Sequence, residues 1–129
     1  MLGIYHAHAP TFLWVIGLLM IVALLPMALW PLRWARVIGW QIPADNHLAI
    51  YYGRCLGCVA TAAGVFAIVA AGDPVTVSFY LPFLLTLWVL MVAAHVWGAI
   101  RRIQPLTETL EIGFWAALAG VTLLFLPPA

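Results

Sequence analysis

Residues 87 to 115 read LWVLMVAAHVWGAIRRIQPLTETLEIGFW. An apolar run ends in paired arginines, Gln104-Pro105 interrupts it, and a second apolar run opens with Glu108 and Glu111 in its first turns. Proline cannot extend the helix before it and pushes its neighbour towards extended backbone, so the pattern predicts two helices joined by a tight turn. Followed outward, the first helix reaches back to Val77 and the second continues to Leu126. Each then has the roughly 20 residues needed to cross a bilayer core about 30 Å thick.

The rest of the chain repeats this arrangement. Thr11 to Trp30 and Leu48 to Ala71 are apolar runs of similar length, closed by Pro31 and by Gly72-Asp73-Pro74. Of 129 residues, 67% are hydrophobic and 7% charged, and none is lysine. That composition belongs to an integral membrane protein. Runs of this length predict helices, which satisfy their own backbone hydrogen bonds in lipid. The expected fold is all-α: one domain over residues 1–129, an integral membrane four-helix bundle with spans near 11–30, 48–71, 77–100 and 106–126. A net charge of +1 gives nucleic acid no surface to bind.

The arginines set the expected orientation. Arg33 and Arg36 follow the first span, Arg101 and Arg102 follow the third, and Arg54 enters the second from that same side. Basic residues favour the cytoplasmic face, which places both termini on the non-cytoplasmic side of a bacterial inner membrane. The start MLGIYHAHAP lacks the basic segment of a cleavable signal, so the first span is expected to remain as an anchor. Trp14 and Tyr80 near one boundary, and Trp30, Trp34, Trp40 and Trp97 near the other, suit interfacial belts. Gly53, Gly57, Thr61 and Gly64 form a small-residue stripe that lets another backbone approach closely, with Cys55 and Cys58 as small fillers beside it. Pro26 is expected to kink the first helix near its end.

Depth singles out a set of polar residues. At roughly 1.5 Å per residue, Arg54 lies about 10 Å below His47, while His95 and Glu111 each lie about 8 Å from the cytoplasmic boundary, with Glu108 nearer the surface. His47, Tyr51, Arg54 and Cys58 share a helical face, and Glu108, Glu111, Trp115 and Thr122 form another stripe. An arginine facing hydrocarbon costs about 2.5–3.5 kcal/mol even on a lenient scale, so Arg54 is expected to turn inward and pair with Glu111 or Glu108.

These residues define an expected pocket open to the cytoplasmic leaflet. Glu111 or Glu108 would serve as general base or acid, His95 would shuttle the proton, and Tyr51 and Arg54 would stabilise developing negative charge. Trp115, Cys58, His47 and Trp97 would line the ligand site. The expected function is binding of a lipophilic small molecule, with proton transfer of the isomerase or hydratase type. The alternative is a non-enzymatic subunit of a larger membrane redox or photosynthetic complex. Expected partners are membrane lipids, the lipophilic ligand, and further copies of the chain or a larger membrane complex.

No cofactor or metal is expected from the sequence. Cys55-x-x-Cys58 lacks the second cysteine pair through which thiol oxidases commonly relay electrons. His47 and His95 differ too much in depth to hold a haem together, and His6-x-His8 alone gives a metal too few ligands.

Four short-looped spans, RCLGCVATAAG in the second, a polar residue late in the third and TETLEIGFW opening the fourth together resemble the small DoxX-like membrane proteins of bacteria. The resemblance covers the whole chain and implies a four-helix bundle, in some relatives associated with quinone-linked redox complexes.

Overall fold

A computed structural model describes residues 3–128. A 3-10 turn at His6–His8 leads into α1 (Ala9–Leu29), and a short α2 (Pro31–Val37) follows. α3 (His47–Ala70), α4 (Pro74–Arg101) and α5 (Leu106–Phe125) complete the chain. No strand occurs among the described residues. Four helices, among them α3, α4 and α5, are long and apolar enough to cross a membrane, the first of them including the 3-10 turn. The expected spans agree with the bounds of α1, α3, α4 and α5 to within three residues. The difference is α2, which continues for two turns beyond Pro31, because proline is well suited to the first turn of a new helix. α1 likewise runs on through Pro26 to Leu29.

The helices associate chiefly as two pairs, α1 with α3 and α4 with α5. Close approach of the first pair depends on glycine. A Cβ on Gly57 would lie 2.3 Å from the backbone nitrogen of Ala28, and one on Gly64 would lie 2.8 Å from the carbonyl oxygen of Gly17. Gly53, one turn before Gly57, leaves room for the ring of Pro31 at the start of α2. The small-residue stripe read from the sequence is therefore the face that α3 turns to α1.

The two pairs join around an apolar core at the end opposite the arginines. Leu13, Ile16 and Met20 of α1 meet Ala67 and Ala70 of α3 and Val77, Leu81, Leu84 and Trp88 of α4. At that end the chain also grips α5: the Tyr5 amide donates to the Leu124 carbonyl at 2.9 Å, and His6 Nδ1 donates to the Phe125 carbonyl at 2.8 Å. Most remaining apolar side chains, among them Leu18, Val22, Leu56, Phe66, Leu90 and Leu110, face outward. Such a surface suits lipid, not water.

The turn between α3 and α4 is closed by Asp73, whose carboxylate accepts from the Thr76 amide at 2.8 Å and from its hydroxyl at 2.6 Å. Pro74 occupies the first turn, where its missing N–H is no loss. These hydrogen bonds, the hydroxyl's first, hold the Asp73 carboxyl below its usual pKa. A depressed folded-state pKa contributes stability above the unfolded value and loses it as pH falls through the folded one. Asp73→Ala should therefore lower the thermal midpoint at neutral pH, and its gap to the parent should begin to narrow as the pH falls below about 3.8. Melting curves between pH 3 and 7 check this; a gap that widens in acid contradicts it.

Candidate functional site

The site lies in the seam of the second pair. The buried positions of α4 are Val77, Leu81, Leu84, Trp88, His95 and Gly98, and their alternating spacing keeps one face on a partner helix. α5 answers with Glu108, Glu111, Trp115 and Thr122, the stripe expected from the sequence. Near the middle, Trp88 Nε1 donates to Thr122 Oγ1 at 3.1 Å and the rings of Trp88 and Trp115 stack at 5.4 Å. Towards the arginine end the seam becomes ionisable: His95, only 7% exposed, sits where the rhythm calls for an apolar residue.

A hydrogen bond fixes the imidazole's orientation. His95 Nδ1 lies 2.7 Å from the Met91 carbonyl oxygen, one turn back on α4. A carbonyl has no hydrogen to give, so Nδ1 must carry the proton and donate it. Nε2 then points at α5, where Glu108 Oε2 lies at 3.0 Å and Glu111 Oε2 at 3.6 Å. In a neutral imidazole that nitrogen presents a lone pair to two acidic side chains. A positive species, whether proton or cation, is what this geometry accommodates.

Neighbouring groups hold the carboxylates and the turn in place. Trp40 Nε1, from the loop after α2, donates to Glu108 Oε1 at 2.8 Å, leaving Oε2 to face the imidazole. Thr107 donates its hydroxyl to the Ile38 carbonyl beside it. Gln104 Nε2 donates to the His95 carbonyl at 3.1 Å and to Thr109 Oγ1 at 3.2 Å, its side chain filling the space that Gly98 leaves open. α4 ends with Arg102 in the left-handed region at φ 53°, the Arg102 amide bonded to the Ala99 carbonyl and the Ile103 amide to that of Gly98. This is a Schellman ending, and it reverses the chain at once into α5.

Of the residues expected at the site, the structure brings together His95, Glu108, Glu111 and Trp115. Trp115 lies 6.0 Å from the His95 ring, and its Nε1 is buried with no hydrogen-bond partner. The others are elsewhere. Arg54 is exposed, and among the described residues neither glutamate pairs with an arginine, so the expected ion pair is not formed. The reason is packing: α3 gives its glycine face to α1, whereas α5 packs on α4. Tyr51 is exposed and sits edge-on to Tyr52, His47 and Cys58 are exposed, and Trp97 faces outward beneath the Arg101 guanidinium, which lies 5.7 Å from its ring.

Arg54 is exposed, and in a bilayer an arginine so placed would extend its stem along the helix towards the headgroups. Arg54→Leu should accordingly change unfolding free energy by no more than about 0.5 kcal/mol, as for other surface substitutions. Unfolding of the variant in mixed micelles checks this; a loss of several kcal/mol would mean a buried partner for the guanidinium.

Trp40 and Gln104 were not legible as site residues. Trp40 lies in a loop without periodicity and reads as one more interfacial tryptophan. Gln104 reads only as the residue before a proline.

Surface hollows of about 340 Å³ beside Pro10, Trp14 and Ala71, and of about 300 Å³ beside Pro26, Trp30 and Arg33, are not lined by any member of the cluster. No protein-family model, curated protein or solved structure matches the chain. The likeness to DoxX-like proteins therefore rests on the layout of four apolar helices.

Proposed function

We propose that this is a multi-pass protein of the bacterial inner membrane, its arginine-rich end cytoplasmic, whose His95–Glu108–Glu111 cluster takes the polar end of a lipophilic small molecule and exchanges a proton with it. The observation that carries this reading is the imidazole Nε2 held between two carboxylates of another helix, with no arginine at pairing distance from either. Charged groups in a membrane helix are costly and usually mark a ligand or proton path. Glu108 or Glu111 acts as the base or acid and His95 relays the proton, chemistry of the isomerase or hydratase type. Tyr51 and Arg54 have no part in the step.

The test is proton exchange in D2O. The protein, reconstituted in vesicles, is incubated with a panel of membrane-soluble enones and quinone-like ketones, and deuterium uptake is read by mass spectrometry. At least one compound should exchange faster than in empty vesicles, and Glu108→Gln or Glu111→Gln should slow that exchange about 100-fold or more. Exchange no faster than in empty vesicles across the panel would sink the proposal.

A second reading, a non-enzymatic subunit of a larger membrane complex, is favoured by the outward side chains of α3, where Tyr51, Tyr52, Leu56, Val59, Phe66 and Val69 are all exposed. Purification separates the two. A monodisperse isolated chain that binds a lipid-like compound supports the first, and aggregation relieved only by a partner protein supports the second.

A further inference from the structure

We infer that His95, Glu108 and Glu111 form a binding site for a divalent first-row transition-metal ion, of the Zn2+, Mn2+ or Fe2+ class. The inference deepens the reading of this cluster as a ligand site and rests on it. Each residue offers one ligand atom, and the three atoms lie within 4.8 Å of one another.

Spacing is the first argument. An ion about 2.0–2.2 Å from nitrogen and oxygen ligands holds adjacent ligand atoms about 3.0–3.5 Å apart. Nε2 stands 3.0 Å from Glu108 Oε2 and 3.6 Å from Glu111 Oε2. Two of the three separations thus already match a shared ion, and the two carboxylate oxygens, which lie within 4.8 Å of each other, would draw together to close the shell.

Orientation is the second. Metal-bound histidines typically donate the other ring N–H to a carbonyl or carboxylate, which fixes the tautomer and aims the lone pair, and ligating carboxylates are themselves hydrogen-bonded. Both features are in place: His95 Nδ1 donates to the Met91 carbonyl, and Trp40 Nε1 holds the far oxygen of Glu108. Charge is the third. Two carboxylates and a lone pair converge with no arginine at pairing distance among the described residues. One imidazole and two carboxylates leave coordination positions open for water or an oxygen of the ligand, as catalytic sites with three protein ligands do. Imidazole selects for transition metals, while the carboxylates admit the harder ones.

The test is a Co2+ titration of the chelator-stripped protein in detergent or nanodiscs, followed by absorption spectroscopy, with stoichiometry from elemental analysis. One ion per chain is expected, with weak visible bands and no intense sulfur charge-transfer band. His95→Ala, Glu108→Gln and Glu111→Gln should each weaken binding about 100-fold or more. Trp40→Phe, which leaves all three ligands, should weaken it about 10-fold to 100-fold. A Cys55→Ser/Cys58→Ser protein and a His6→Ala/His8→Ala protein should bind as the parent does.

Failure of the parent to bind Co2+, Zn2+ or Mn2+ at one per chain overturns the inference, and this arm does not depend on any variant folding. So does binding that His95→Ala leaves intact, or that either control pair abolishes. Deuterium exchange by the stripped, ion-free protein would retain the proton-transfer proposal without the metal. Ion binding without exchange on any compound would retain the metal and remove the proposed reaction.

Discussion

Gly57→Val is expected to cost about 3 kcal/mol or more and to part α1 from α3. A Cβ at this position would meet the Ala28 nitrogen at 2.3 Å, its Cα at 2.7 Å and the Met27 carbonyl carbon at 2.9 Å. Backbone atoms of a neighbouring helix cannot rotate aside as a side chain can, so one of the helices must move bodily. In a bilayer that movement is costly, because lipid tails are as apolar as the side chains and association depends on close van der Waals fit. Moving one helix also loosens the neighbouring contact of Gly64 with Gly17. Controls are built into the chain: a Cβ placed on Gly113 or Gly120 would meet nothing within 4 Å. Alanine at either should be neutral or stabilising by up to about 1 kcal/mol. Unfolding in increasing SDS, monitored by tryptophan fluorescence, reads all three; equal midpoints for Gly57→Val and the parent would contradict the close α1–α3 fit.

The second large effect is expected from His95→Leu. The imidazole of α4 bridges two carboxylates on one face of α5, and its removal leaves Glu108 and Glu111 side by side against an apolar side chain. Breaking a fully buried pair by removing one partner costs about 3–5 kcal/mol. Here the Glu111 side chain is 32% exposed and that of Glu108 15%, so screening reduces the expected loss to about 2 kcal/mol. The sign is diagnosed by a second substitution. His95→Leu/Glu111→Gln removes one of the like charges and should recover at least half of the loss, a non-additivity that a double-mutant cycle measures. Full additivity would show that the three groups do not interact.

The contrast between these residues and Arg54 shows what the sequence could convey. Helix bounds followed from apolar run length and breakers, since proline and glycine act locally. The glycine stripe on α3 and the acidic stripe on α5 were legible because helical period fixes which residues share a face. Depth was legible too, as rise per residue is constant: His95 and Glu111 were expected at one level with Glu108 nearer the surface, and the imidazole lies against both carboxylates. Which helix each stripe would face was not legible. A four-helix chain of this kind permits Arg54 to face α5 or lipid with equal local geometry, and the choice is made by Gly57 and Gly64, whose lack of side chains gives the close α3 face to α1. Trp40 was out of reach for another reason: its contact with Glu108 depends on the path of an irregular loop, which no periodicity encodes.

The turn at residues 102–105 has a further consequence. Only four residues separate α4 from α5, one of them in the left-handed conformation and one folded back onto the His95 carbonyl. This leaves α5 little freedom to slide or rotate against α4, and so the register of imidazole against carboxylates is set by loop length as much as by the residues themselves. Loops between helices commonly absorb insertions and deletions without harm. This one behaves as a ruler: natural or engineered length variation should be tolerated in residues 41–46, beyond the Trp40 contact with Glu108, and selected against here.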